Sequence, residues 1–209
     1  DNNFGQAYSY LAFTISHFVF LGFSKNSEGD IKKAKFYVEK ALDCDNRDSL
    51  AHEMLARIYS LSKNHDQAVE AAKKAIECNV NSSSAYMFYA SALTFANRCE
   101  EALEPIDQAI KLSPRDPRTF NFLMNKAMIV GEMGDLKLSV DLARKAVAIP
   151  QGDFRPALIL AIYCAKSGLL DEAQKAIERV LEIIPNFTLT KLKENFFSHF
   201  ETKLLDNYV

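Results

Sequence analysis

Small and apolar residues recur along this chain at the spacing of a helical face. In residues 97–117, NRCEEALEPIDQAIKLSPRDP, Ala102 and Ala109 are seven residues apart, and a proline follows the second one. Residues seven positions apart lie on the same side of an α-helix, two turns from each other. The chain lacks the alternating Val, Ile and Thr runs that indicate strands. The pattern therefore predicts an all-α protein.

The pair of small residues recurs about every 34 residues. The equivalent pairs are Ala34 and Ala41, Ala68 and Ala75, Ser139 and Ala146, and Ala173 and Val180. A further small residue stands twelve positions before the later pairs, at Ala56, Ala90, Ala127 and Ala161. This repetition predicts five helical hairpins in a row, each bringing its two helices close together where the side chains are small. We expect Gly29, Asn97, Gly134 and Gly168 to end the first helix of their units in a left-handed cap.

A unit of this length resembles the tetratricopeptide repeat (TPR) family, as in LARIYS…DQAVEAAKKAIECNVN and YASALT…EEALEPIDQAIKLSP. The resemblance implies an all-α TPR solenoid, a right-handed superhelix of about five helix-turn-helix repeats with a C-terminal helix. It places one array in residues 1–187, with repeats at about 4–48, 49–82, 83–119, 120–153 and 154–187. Residues 188–209 would form a capping or dimerisation helix.

Some strings are more specifically similar to the C-terminal TPR array of bacterial adenylate/guanylate cyclases and winged-helix transcription regulators. They are AIKLSPRDPRTFNFL, LGFSKN and PNFTLTKLKENFF. This resemblance implies a regulatory module of a larger bacterial protein. Because the chain begins with Asp1 and its last helical pattern runs to Val209, we expect it to be a piece of such a protein.

Composition narrows the possible partners. The net charge is −2, from 25 basic and 27 acidic residues, so we expect neither direct nucleic-acid binding nor attraction to an anionic membrane. The most apolar stretch, Leu11–Phe23, is too short for a membrane span. Phosphate-binding and zinc motifs are missing from the sequence, which predicts no cofactor, no metal and no enzymatic activity. The four cysteines lack metal-ligand spacing, and free thiols favour a reducing, cytoplasmic location.

The first helix of each repeat lines the concave groove of such an array. In each unit, the residues three positions before and one position after the small residue of the first helix should face the groove, and two further residues extend this row. We predict a groove that is polar at the second unit and more apolar toward the fifth. The predicted groove residues are Glu53, Arg57, Met87, Ser91, Phe95, Met124, Met128, Leu158, Ile162 and Lys166. They favour binding of a partner's helix or extended peptide.

Two alternatives to peptide binding stay open. The apolar residues of the groove are equally consistent with a structural scaffold, filled by its own terminal helix or forming inter-helix core; an enzyme is the remote alternative. The C-terminal segment carries aromatic residues at helical spacing, which predicts either a cap on the fifth unit or a homodimer contact. The candidate dimer contacts are Phe196, Phe197, Phe200 and Tyr208.

Overall fold

Ten α-helices follow one another in the computed structural model, which describes residues 2–150 and 152–188. They are α1 (Asn2–Phe20), α2 (Ser27–Cys44), α3 (Ser49–Leu61), α4 (His65–Cys78), α5 (Ser83–Phe95), α6 (Cys99–Leu112), α7 (Thr119–Glu132), α8 (Leu136–Ala148), α9 (Arg155–Lys166) and α10 (Leu170–Ile183). Each odd-numbered helix packs on the helix that follows it, and the odd-numbered helices also pack on one another in sequence. The prediction of five stacked hairpins in an all-α solenoid is confirmed.

Alanines occupy the places where the helices of a hairpin meet. The alanines of the recurring pairs in the first three hairpins are 0% exposed, and the first-helix alanines Ala56, Ala90, Ala127 and Ala161 are at most 3% exposed. The fourth hairpin has Ser139 instead of alanine, and its hydroxyl donates to the carbonyl of Ala127 across the hairpin at 2.7 Å. A short side chain permits this close approach, because a larger one would hold the two helices apart. The small residues are thus a packing feature.

Left-handed backbone conformations mark the ends of the first helices. Asn97, Gly134 and Gly168 have φ values of 58°, 94° and 76°, as the sequence predicts, and Lys63 has the same conformation at 59°. The expectation for Gly29 is wrong. Gly29 lies in the first turn of α2, where its N–H donates to the side chain of the N-cap residue Asn26, and Gly22 provides the positive φ instead.

The residue that follows α1, Leu21, lies at the far end of the solenoid. Leu21 packs against a core cluster that is built from the fourth and fifth hairpins. The superhelix therefore brings the end of the first helix close to the start of α9. Within the described ranges, none of the helices combines the length and the apolar character that a membrane crossing requires.

Candidate functional site

A cavity of about 710 Å³ lies on the concave side of the solenoid; we call it the groove cavity. Side chains of α1, α3, α5 and α7 line it, together with the segment that leads into α9. The first helices form this wall because the second helix of each hairpin packs behind them.

Most of the predicted groove residues do lie at this cavity. The seven that line it are Glu53, Arg57, Met87, Ser91, Phe95, Met124 and Met128. The other three, Leu158, Ile162 and Lys166, are not among its lining residues. Leu158 is fully buried in the core, Ile162 packs on the same core, and Lys166 pairs with Glu132 at 3.2 Å.

The reason for this difference is the burial of α9. Nine of its 12 residues are buried, so this helix supplies core along most of its length. The fifth hairpin reaches the groove cavity through Asp153 and Arg155, just before and at the start of α9. The predicted gradient toward an apolar far end is therefore incorrect, because this end carries an acid and a base.

Glu53 is a buried carboxylate that is held by serine hydroxyls. Its Oε1 accepts hydrogen bonds from Ser84 at 2.9 Å and from Ser82 at 3.0 Å, with Ser49 further away at 3.5 Å. Ser82 is also the N-cap of α5, so the start of that helix places two donors over the acid. Burial raises the pKa of Glu53, and the serine hydrogen bonds and Arg57 oppose this shift only in part.

Arg57 lies one helical turn beyond Glu53 on α3, between aromatic rings. Its guanidinium carbon is 4.7 Å from the ring centroid of Phe88, 5.3 Å from that of Phe13 and 5.7 Å from that of Phe20. Such contacts stabilise a cation through the negative ring faces. The Nη1 atom of Arg57 is buried and has no hydrogen-bond partner among the described residues. Burial, and next Arg155, lower the pKa of Arg57 to about 9.

A chain of polar contacts continues along the wall toward the fifth hairpin. Ser91 donates to Oδ1 of Asn125 at 2.7 Å, and Nδ2 of Asn125 donates to the carbonyl of Asn121 at 2.8 Å. Arg155 donates to the side chain of Asn121 at 3.1 Å and forms an ion pair with Asp153. These amide and hydroxyl groups are of the kind that bond a peptide main chain. The repeat pattern predicts only Ser91 from this set, because asparagines on an apolar helix have no periodic signal.

Helix α1 contributes an aromatic side of the groove cavity, through Tyr10, Phe13, His17 and Phe20. His17 stacks on Phe13 and Phe20, with centroid distances of 5.4 and 6.4 Å. Burial, followed by the nearby Arg57 and Arg155, lowers the pKa of His17 to about 4. The repeat pattern did not predict these residues as groove residues. The signal available was the extra length of the first unit around VFLGF, which the structure places largely in a 19-residue α1 and not between the first two helices.

The candidate dimer contacts lie outside the described residues. Phe196, Phe197, Phe200 and Tyr208 all belong to the range 189–209. The homodimer therefore stays a prediction from the sequence.

Comparison with known proteins connects this architecture to TPR proteins. Residues 51–79 match the family model described as tetratricopeptide repeat. No curated protein matches the chain in sequence.

Several solved structures have a similar fold. PilW, described as a widely conserved type IV pilus biogenesis factor, is 20% identical with a TM-score of 0.73, and the match covers 100% of this chain and 95% of PilW. A thermophilic TPR protein of Thermus thermophilus is 20% identical with a TM-score of 0.69, over 86% of this chain and 95% of that protein. YrrB, a TPR protein with an unusual peptide-binding site, is 15% identical with a TM-score of 0.53, over 81% and 85%. The chain is thus an all-α solenoid with the TPR fold.

Proposed function

We propose that this chain is a non-catalytic protein-interaction module whose groove cavity binds a helix or an extended segment of a partner protein. The observation that carries the proposal is the groove cavity itself, which joins aromatic and methionine walls to a row of serine and asparagine groups. Peptide sites combine apolar pockets for side chains with a few polar groups for the main chain. The peptide-binding site described for YrrB, which has the same fold, supports this class of ligand.

The parent protein is the second part of the proposal. The similarity of AIKLSPRDPRTFNFL and PNFTLTKLKENFF to the arrays of bacterial cyclases and winged-helix regulators supports a regulatory role in a larger, cytoplasmic signalling or transcription-regulatory protein. The sequence of the full-length gene tests this part directly. A catalytic or DNA-binding domain encoded next to the array would support it, and a parent protein with neither would refute it.

One observation favours a second candidate, a structural scaffold whose groove is filled from within. The aromatic end of α1 already occupies one side of the groove cavity, and Phe20 lies against both Arg57 and Arg155. In this case the groove would hold the solenoid together rather than receive a partner. The two candidates differ in whether a peptide enters the cavity.

Selection of peptides distinguishes these candidates. A phage-displayed library of random 12-residue peptides is selected against the purified chain, and the binders are tested against Ser91→Tyr, which places a large ring in the groove cavity. The matched control is Gln174→Tyr on the exposed face of α10. We expect Ser91→Tyr to weaken binding about tenfold or more and Gln174→Tyr to leave it unchanged. If the selected peptides bind both variants equally, or if none is selected, the scaffold is the better description.

A homodimer is a separate proposal, and sedimentation tests it. Replacement of Phe197 and Tyr208 by Glu would place two charges in the predicted contact. We expect the parent chain to sediment as a dimer and the double variant as a monomer. A monomer in both cases would refute the dimer.

A further inference from the structure

Among the described residues, one cation of the groove cavity, Arg57, forms no ion pair. The guanidinium of Arg57 is surrounded by three aromatic rings, and its buried Nη1 has no hydrogen-bond partner among the described residues. The two other arginines that line the cavity are paired, Arg118 with Asp116 and Arg155 with Asp153. Leaving a buried charge without a partner costs free energy, which a bound anion would recover.

The acid closest in sequence to Arg57 accepts its hydrogen bonds from other residues. Glu53 is four residues before Arg57 on α3, a spacing at which an acid and a base commonly pair. Its Oε1 instead accepts the hydroxyls of Ser82 and Ser84 at the start of α5. The serines thus hold one oxygen of the acid, and Glu53 interacts with Arg57 only at longer range, without an ion pair among the described residues.

The other two arginines that line the cavity have ion-pair partners. Arg118 pairs with Asp116 and Arg155 with Asp153, whereas Arg57 forms no ion pair among the described residues and interacts with Glu53 only at longer range. Although burial lowers the pKa of Arg57 to about 9, the guanidinium stays protonated at neutral pH. The guanidinium of Arg57 is therefore the group in this cavity that is complementary to a negative group.

We propose that Arg57 binds the side-chain carboxylate of an aspartate or glutamate within the partner's segment, next to an apolar residue that packs on the surrounding phenylalanine and methionine side chains. This inference rests on the proposed function, because it specifies the ligand of the same groove. One guanidinium that forms no ion pair among the described residues matches one carboxylate. The row of Ser91, Asn125 and Asn121 continues away from it along the wall, so it suits a segment whose main chain runs past the acid instead of ending there.

The aromatic surroundings explain why such a pair would be specific. Rings that contact the guanidinium limit its rotation, so its donors are already oriented when the carboxylate arrives. A charge-assisted hydrogen bond to a buried group is stronger than one at the surface. A neutral amide of the same shape would leave the cation uncompensated, so the site should discriminate strongly between Glu and Gln.

The test uses the peptides selected with the full chain. Those that lose binding to Ser91→Tyr are synthesised with an acetylated N-terminus and an amidated C-terminus, so that side chains supply the only carboxylates. We expect an enriched Asp or Glu at one position, and its replacement by Asn or Gln should weaken binding about tenfold or more, measured by fluorescence anisotropy. The same replacement should change the affinity for Arg57→Gln less than about twofold, since the interaction is already lost. Arg179→Gln, at an exposed position on α10, is the control and should behave like the parent chain.

Each outcome separates the two proposals. If groove-dependent peptides are obtained but acidic and neutral versions bind equally, the inference is wrong and the proposed function stands. If no groove-dependent peptide is obtained, both are wrong. A peptide whose single carboxylate is its free C-terminus should bind like the neutral version; equal affinity with the acidic version would show capture of chain ends and overturn the proposal. The affinities of the acidic and neutral peptides for the unmodified chain test the proposal even if Arg57→Gln fails to fold.

Discussion

The ring of Phe20 lies 5.5 Å from the guanidinium carbon of Arg155, so the end of the first helix touches the start of the ninth. The two residues are far apart in the chain and belong to the first and fifth hairpins. Leu21 extends the contact by packing on the core of the fourth and fifth hairpins. We call this set of contacts the α1–α9 contact. In a simple solenoid each hairpin contacts only the adjacent hairpins, and the α1–α9 contact is the feature that distinguishes this chain.

Replacing Phe20 by alanine should therefore destabilise the whole chain. The change removes the ring that contacts Arg57, Arg155 and His17, and we expect the free energy of unfolding to fall by about 1–3 kcal/mol in urea denaturation. Phe4→Ala, at a residue of the same helix that is 60% exposed, should change it by less than about 0.5 kcal/mol. Equal effects of the two changes would show that the α1–α9 contact contributes little.

Enlarging a small residue between paired helices should also destabilise the fold. Ala109 is 0% exposed, and a leucine at this position would have to push α6 away from its neighbours. We expect Ala109→Leu to cost about 1–3 kcal/mol in chemical unfolding. Ala148→Leu, at the exposed end of α8, should be within about 0.5 kcal/mol of the parent chain. An unchanged melting temperature for Ala109→Leu would contradict the packing assignment.

The sequence predicts these alanine positions because the two helices of every hairpin make the same close contact, so the small residues recur at a regular spacing. It could not predict the α1–α9 contact, since an insertion such as VFLGF occurs once and carries no period. It also misplaced Leu158, because the rule for groove positions assumes that every unit has the same surroundings. The equivalent residue of the fourth hairpin, Met124, is already 3% exposed, and in the more apolar α9 Leu158 is fully buried in the same core.

A methyl group at Gly131 should be harmful, although alanine normally favours a helix. A Cβ at this position would overlap the ring of Tyr163 and approach Oγ of Ser139 to 2.8 Å. Tyr163 is fully buried and donates to Glu132 at 2.9 Å, so it cannot move without breaking this bond. We expect Gly131→Ala to lower stability by about 3 kcal/mol, against a gain of about 1 kcal/mol at an unconstrained helical site.

Thermal unfolding followed by circular dichroism measures this change. The control is Gly152→Ala, where a Cβ meets no atom within 4 Å, and it should be neutral or slightly stabilising. A stabilised Gly131→Ala protein would mean that α9 does not pack on α7 as described.

Acid should weaken the fold through His17. Its pKa falls to about 4 in the folded chain, so the folded state disfavours the imidazolium beside Arg57 and Arg155. The unfolded chain takes up a proton at the ordinary pKa of histidine, so this contribution to stability is full above about pH 6.5 and is lost as the pH falls toward 4. We expect the parent chain to lose roughly 1–2 kcal/mol relative to His17→Phe across this range, a figure reduced for partial exposure of the ring. Urea unfolding at pH 7 and pH 4.5 measures the difference; an equal pH response of the two proteins would refute it.

Glu53 should respond to pH in the opposite direction. Its pKa is raised by burial, so the folded chain holds a proton more tightly than the unfolded chain. Stability relative to Glu53→Gln should therefore rise as the pH falls through the raised pKa toward the ordinary value of a glutamate. The same unfolding series checks this, with the difference between parent and variant as the readout. A parent chain that loses stability relative to the variant on acidification would contradict the assigned burial.

The α1–α9 contact also has a consequence for how the solenoid loses its structure. An open row of repeats contacts only near neighbours, so its terminal units can fray one at a time while the middle stays folded. Side-chain contacts of Phe20 and Leu21 join the first hairpin to the fourth and fifth, so opening of the first hairpin must break them in addition to its contacts with α3. We therefore expect the first hairpin to fray less readily than the end of a simple row of repeats.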